Sequence, residues 1–172
     1  MILFLVGYMG SGKSVIGKKL AKILNYNYID LDDYIEEKEH ASIKLIFDTK
    51  GEIYFRKVES LYLNELIGLD KTVVSLGGGT PCYGHNMKLI LESENALSIY
   101  LKASIPTLSY RLFEEKSKRP LISHLQTKTE LNEFIGKHIF ERAPFYEQSS
   151  LSIKTDGLMI NEVVDKLILK LF

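Results

Sequence analysis

The stretch that decides the fold is Gly7–Val15, GYMGSGKSV, which follows the apolar run MILFLV at once. Gly7 to Ser14 fits G-x-x-x-x-G-K-[ST], with a strand candidate before it and a helical pattern after it. Glycines let the backbone bend tightly and aim its N–H groups inward, with no side chain in the way. The helix that follows presents its positive end to the same anion. The loop therefore reads as a cradle for a nucleotide polyphosphate such as ATP, built from Gly10, Ser11, Gly12, Lys13, Ser14 and Val15. Lys13 is expected to bridge the β- and γ-phosphates, and the Ser14 hydroxyl to ligate Mg²⁺. Such a loop alone does not separate a kinase from a GTPase, a motor or a transporter ATPase. The chain carries no N-K-x-D tetrapeptide to read guanine, and 172 residues are few for a motor. A small-molecule kinase is the natural size.

That length suits one domain spanning 1–172. With 45% hydrophobic and 26% charged residues the chain can build a real core. Lys+Arg and Asp+Glu are both 22, so nothing points to a nucleic-acid partner or a membrane surface, and any basic site must be local. The single cysteine, Cys82, forbids an intrachain disulfide and suits a reducing, cytoplasmic setting. It reads as an incidental small residue, since no His or Asn arrangement points at it. The opening apolar run is too short for a signal peptide or a membrane helix. His40, His85, His124 and His138 show no paired ligand spacing, which argues against a zinc site. Zero net charge and a small domain are compatible with a monomer.

Outward from the loop, short apolar runs alternate with longer helical patterns. Strands are expected at Ile2–Val6, Tyr28–Leu31, Val73–Leu76, Leu97–Leu101 and Leu151–Lys154. Helices are expected at Val15–Leu24, Tyr54–Leu66, Met87–Leu91, Thr107–Phe113, Glu130–Phe140 and Asn161–Leu171. This alternation predicts an α/β fold, a parallel sheet with helices on both faces. Two less regular segments, 31–51 and 114–126, are candidates for parts that move over a site.

Four further stretches carry chemistry. In YIDLDDYIEE, Asp30 and Asp32 lie two apart at the C-terminal end of the second strand candidate, where open parallel sheets place ligands. One carboxylate suits Mg²⁺ through water, and the other suits an acceptor hydroxyl. The competing reading is helix capping by Asp32 or Asp33. In GEIYFRKVE, Arg56 and Glu59 are three apart and share a helix face, as a functional pair or as an ordinary surface one. In SLGGGTP, Gly77, Gly78 and Gly79 follow a strand and admit close approach of an anion or hydroxyl. That strand carries Ser75 where many nucleotide-binding folds have a metal-holding acid, which favours Asp30 for the metal. In EKSKRPL, Lys116, Lys118 and Arg119 suggest a phosphate-sensing lid.

Taken together, GYMGSGKS, DLD, GEIYFRKVE, SLGGGTP, KRPLI and ERAPFYE resemble the shikimate kinases in order and approximate spacing over nearly the whole chain. The resemblance implies a three-layer α/β/α P-loop kinase fold of the nucleoside-monophosphate-kinase type, with five parallel strands in the order 2-3-1-4-5. It implies transfer of the ATP γ-phosphoryl group to the 3-hydroxyl of shikimate, on the way to chorismate and the aromatic amino acids. It assigns Arg56 and Arg142 to the substrate carboxylate, with Glu59 holding Arg56, and Gly77–Gly79 to the substrate pocket. Arg119 becomes the lid arginine within 114–126, Arg111 an adenine contact, and 31–66 the substrate-binding region. Asp32 would then orient the 3-hydroxyl. Phe47 and Phe55 are either walls for the substrate ring or core. KTDGLMI should border adenine, although it lacks the arginine and proline of some relatives. The rivals are a kinase for another small acid such as gluconate, a nucleoside-monophosphate kinase, and a nucleotide-binding regulator that does not turn over.

Overall fold

The computed structural model describes residues 1–118 and 121–172. Five parallel strands form one sheet: β1 (Ile2–Val6), β2 (Asn27–Asp30), β3 (Thr72–Ser75), β4 (Ala96–Lys102) and β5 (Leu151–Lys154). Their order is β2-β3-β1-β4-β5, which is the order the resemblance implied. The helices are α1 (Lys13–Leu24), α2 (Leu31–Glu39), α3 (Ile43–Ile67), α4 (Asn86–Glu92), α5 (Ile105–Glu115), α6 (Lys128–Tyr146) and α7 (Ile160–Leu171).

β1 is buried at every position and feeds a core on each face. Ile2, Phe4 and Val6 join Leu31, Ile46, Phe55, Leu63, Leu112 and Ile135 on one side. Leu3 and Leu5 join Ile16, Leu20, Val163 and Leu167 on the other. Side chains alternate along a strand, so a run with no polar residue must serve two layers. α1 and α7 cover one face, and the helices from α2 to α6 cover the other. β1 runs in register with β3 and β4, Leu3 opposite Val73 and Leu97, so the C-terminal ends of all three strands share one sheet edge. The chain leaves β1 toward β2 on one side and returns to β4 on the other, which opens a crevice above β1. Among the described residues no helix is long and apolar enough to cross a membrane.

Only the β1 and β5 bounds fall where the pattern put them, and two of the differences bear on the site. β2 ends at Asp30, and Leu31 already begins α2, because the Asp30 side chain caps that helix by accepting from the Asp32 N–H. Capping therefore falls to Asp30 rather than to Asp32 or Asp33. α6 is longer than Glu130–Phe140: a Thr127–Glu130 capping box starts it at Lys128. It continues to Tyr146 through Pro144, which brings no N–H to the helix ladder.

α3 breaks at Gly51 (φ 79°, ψ 173°), a conformation nearly reserved for glycine. Glu39 at the end of α2 spans that break. It accepts from Lys50 (3.2 Å) before the glycine, and from the Tyr54 and Tyr62 hydroxyls (2.7 Å each) after it. A Cβ at Gly51 would meet nothing within 4 Å, so strain alone decides the effect of adding one. Gly51→Ala should lose about 1–3 kcal/mol of stability in urea unfolding. An unchanged midpoint would show that the break relaxes freely.

Candidate active site

The P-loop, residues 7–14, runs from the end of β1 into α1, with Gly10 (φ 79°) and Gly12 (φ 96°) in the left-handed region. Lys13 Nζ donates to the carbonyls of Gly7 (2.8 Å) and Tyr8 (3.0 Å), which lays the ammonium along the cradle. Ser14 Oγ donates to Asp30 Oδ2 (3.2 Å), while Asp30 Oδ1 accepts from the Asp32 N–H (3.1 Å). Asp30 therefore caps α2 with one oxygen and meets the P-loop hydroxyl with the other. Tyr28 steadies it, its hydroxyl lying 3.4 Å from Asp30 Oδ2 and 3.0 Å from Ser75 Oγ.

A cleft of about 440 Å³ lies over this loop, lined by residues 9–16, Asp30, Asp32, Gly77, Gly78, Arg111 and the wall Thr155, Leu158, Ile160 and Val163. Arg111 Nη1 donates to the Gly10 carbonyl (3.1 Å), on the rim facing that wall. The KTDGLMI segment is the wall. It is fastened by Asp156, which accepts from the Ser104 N–H and hydroxyl (2.9 Å each). Ser11 is buried within the loop, and Val15 is exposed at its rim.

Asp32 does not share a strand face with Asp30, although their spacing predicts it. It sits in the first turn of α2, brought back beside Asp30 by the cap. Burial raises its pKa to about 6, helped by the charges of Asp30 and Glu59 and opposed by Lys13. A carboxylate so tuned lies close to neutrality and beside the P-loop ammonium.

The three glycines after β3 explain themselves by what stands over them. A Cβ on Gly77 would sit 3.2 Å from Asp32 Oδ1. On Gly78 it would sit 3.4 Å from Arg142 Nη1, and on Gly79 3.3 and 3.4 Å from Arg56 Nη1 and Nη2. None of the three has positive φ, so close approach, tightest at Gly77 and Gly79, favours glycine here, not turn conformation. The loop thus brings together a carboxylate and two guanidiniums that are far apart in sequence. Arg56 donates to Glu52 Oε1 from Nε (3.4 Å) and Nη2 (3.3 Å), and to Glu59 Oε2 from Nη1 (3.1 Å). Glu59 is buried, and its other oxygen accepts from Thr80 Oγ1 (2.7 Å).

Arg142 lies on α6, beyond the Phe140 end expected for that helix. Its charge acts on Tyr8 and Tyr146, both buried, and on His138. Tyr146 also donates its hydroxyl to the Gly78 carbonyl, which ties α6 to the glycine loop. Sequence reasoning passed over Tyr146. Its spacing of four from Arg142 would have shown it, had α6 been extended through Pro144. Thr80, Tyr8 and Tyr28 were passed over as well, and only the fold brings them to the site. Phe47 and Phe55 pack on each other (4.7 Å between centroids), with Phe55 in the core. Cys82 is half-buried, and burial pushes its thiol up to about 11, so it is no nucleophile at neutral pH. Lys116 donates to the Leu125 carbonyl, and Ile122 is fully buried, which anchors parts of the expected lid. Arg119 lies outside the described residues.

A family model described as shikimate kinase matches residues 9–172. A shikimate kinase of Flavobacterium johnsoniae is 45% identical over 165 residues, covering 95% of each chain. Among solved structures, shikimate kinase from Bacteroides thetaiotaomicron aligns with a TM-score of 0.92 at 35% identity, covering 99% of this chain and 98% of its own. Shikimate kinase from Acinetobacter baumannii in complex with shikimate gives 0.85 at 28% identity, covering 99% and 92%.

The Asp32 pKa carries a stability consequence. Its native value of about 6 stands above the usual 3.8, so the native state binds the proton more tightly than the unfolded chain. Its contribution is fully present below about pH 3.8 and is lost as pH rises through 6. Asp32→Asn should therefore be more stable than the parent at pH 8, by on the order of 1–3 kcal/mol. The gap should close toward pH 4. Thermal unfolding across this range checks it, and a pH-independent difference would contradict the shift.

Proposed function

The chain belongs to the shikimate kinase family, and from that premise we propose how its residues divide the reaction. The enzyme is an ATP-dependent kinase that transfers the γ-phosphoryl group to the 3-hydroxyl of shikimate, giving shikimate 3-phosphate and ADP. The observation that carries the residue assignment is the glycine loop, where Asp32, Arg142 and Arg56 stand over three successive residues beside the P-loop.

On the donor side, the P-loop backbone from Gly10 to Val15 holds the phosphates, and Lys13 turns from its carbonyl partners to the β- and γ-oxygens. Arg111 and the apolar wall of Leu158 and Ile160 suit the adenine. Ser14 and Asp30 fit a hard divalent cation: a hydroxyl and a carboxylate oxygen 3.2 Å apart at the mouth of the cradle. Mg²⁺ held there would neutralise charge on the phosphates. By its place in KRPLI, Arg119 is assigned to the transferred phosphoryl group.

On the acceptor side, Arg56 and Arg142 grip the shikimate carboxylate, since a guanidinium fork matches its two oxygens. The bare backbone of Gly77–Gly79 admits the ring. Asp32 orients the 3-hydroxyl and accepts its proton as the phosphoryl group moves. Its raised pKa suits proton exchange near neutrality. The transition state is loose, so positioning matters more than base strength. The reading is completed by a cytoplasmic monomer that takes two small-molecule substrates.

A coupled assay of ADP release with ATP, Mg²⁺ and a panel of shikimate, gluconate and nucleoside monophosphates tests this division. Turnover is expected with shikimate alone. Lys13→Ala should lower kcat by about 10³-fold. Arg56→Ala should raise KM for shikimate by about 10–100-fold, with KM for ATP within about twofold. Equal losses for both substrates in Arg56→Ala would refute its place on the acceptor side.

A further inference from the structure

Arg56 is held by more than its carboxylates. Tyr83 follows the short 3-10 turn Thr80–Cys82, and its ring centroid lies 3.7 Å from Arg56 Cζ. That is stacking distance for a guanidinium on an aromatic face. The ring also fills space beside the glycine loop: its Cε2 lies 3.3 Å from where a Gly79 Cβ would be. Gly79 thus leaves room for both the ring and the guanidinium. The backbone that carries Tyr83 is bracketed by two buried residues. Thr80 is tied to Glu59, and Asn86 donates from Nδ2 to the Thr80 carbonyl (2.9 Å) and from its N–H to the Tyr83 carbonyl (3.3 Å).

The donor inventory of Arg56 shows what the ring contributes. Of five N–H groups, Nε, one on Nη1 and one on Nη2 are engaged by Glu52 and Glu59. One N–H remains on each terminal nitrogen, and these two form the outer edge of the fork. That edge lies over Gly79, with both nitrogens nearly equidistant from its would-be Cβ. Glu59 anchors one corner. Glu52 is 55% exposed and holds the opposite side weakly. Neither carboxylate fixes the plane of the fork, and a stacked ring does.

We propose that Tyr83 is a positioning residue for the acceptor: its face sets the plane of the Arg56 guanidinium so that the two remaining N–H groups meet both oxygens of the shikimate carboxylate. This rests on the assignment of Arg56 to that carboxylate. Among the described residues the Tyr83 hydroxyl makes no hydrogen bond, so the aromatic face and not the hydroxyl carries the effect.

The test is steady-state kinetics and calorimetric shikimate binding for Tyr83→Phe, Tyr83→Leu, Tyr83→Ala, Arg56→Ala and the Tyr83→Ala/Arg56→Ala double variant. Thermal unfolding of each checks the fold, and Tyr83 is 38% exposed, so truncation leaves no sealed cavity. Tyr83→Ala and Tyr83→Leu should raise KM and Kd for shikimate about tenfold. Their kcat and KM for ATP should stay within about twofold of the parent, and Tyr83→Phe should match the parent. In the Arg56→Ala background, Tyr83→Ala should add less than about twofold. If Arg56→Ala loses shikimate while Tyr83→Ala binds it normally, the proposal falls and the Arg56 assignment stands. If Arg56→Ala itself binds shikimate normally, the assignment falls first. Parent-like behaviour of Tyr83→Leu, or a parallel loss of kcat and ATP affinity in Tyr83→Ala, would reduce Tyr83 to packing and overturn its positioning role.

Discussion

The acceptor half of the site depends on one buried carboxylate. Glu59 is 1% exposed, and an unpaired charge at that depth would cost several kcal/mol. Among the described residues it is relieved by Thr80 Oγ1 at one oxygen and Arg56 Nη1 at the other. The demand works outward from there. Arg56 cannot swing as a surface arginine would without stranding Glu59. Thr80 cannot move either, which pins the end of the glycine loop from which Tyr83 is launched. The same negative charge contributes to the raised pKa of Asp32. A single buried charge on α3 thus bears on the anion fork, the loop it faces and the proton affinity of the neighbouring acid.

What the sequence made legible was what is local. The P-loop reads at once because its glycines, its lysine and the flanking strand and helix all lie within a few residues. The strands of β1 and β4 read as apolar runs because both faces are buried, and the β5 bounds fall where the pattern put them. The Arg56–Glu59 pair follows from helical spacing alone. One misreading is a local rule overtaken by a competing local interaction. Alternation put Asp30 and Asp32 on one strand face, but the Asp30 cap turned the chain into α2 one residue early. The helical pattern was followed only to Phe140, yet α6 runs on through Pro144 to Tyr146. The remainder was illegible for another reason. Tyr146 to Gly78 and Thr80 to Glu59 join residues 68 and 21 apart, and no spacing rule reaches that far.

GGG lies between these cases. Three glycines after a strand announced close approach, but not of what. Gly77, Gly78 and Gly79 are each bare for a different neighbour, Asp32 from α2, Arg142 from α6 and Arg56 from α3. Three elements that cross at one backbone segment crowd a methyl group at Gly77 and Gly79 and would bring one at Gly78 into contact with Arg142. The composition of the loop is therefore a record of tertiary packing, written in the one residue type that admits it.

This crossing also explains how a small domain can spend binding energy on chemistry. In the proposed division the carboxylate grips come from α3 and α6, and the acid from α2, all outside the P-loop assigned to the other substrate. An acceptor that engages both arginines must bridge α3 and α6 over the glycine loop, which fixes its ring against Gly77 and hence against Asp32. Acceptors lacking a carboxylate at that distance would leave the forks unfilled and their hydroxyl misplaced. For a loose phosphoryl transfer, in which alignment supplies most of the acceleration, an acceptor that engages neither arginine should lose kcat as well as affinity, whereas a loosened single fork costs affinity first. Recognition at the carboxylate end and reactivity at the hydroxyl end are joined through two residues of backbone.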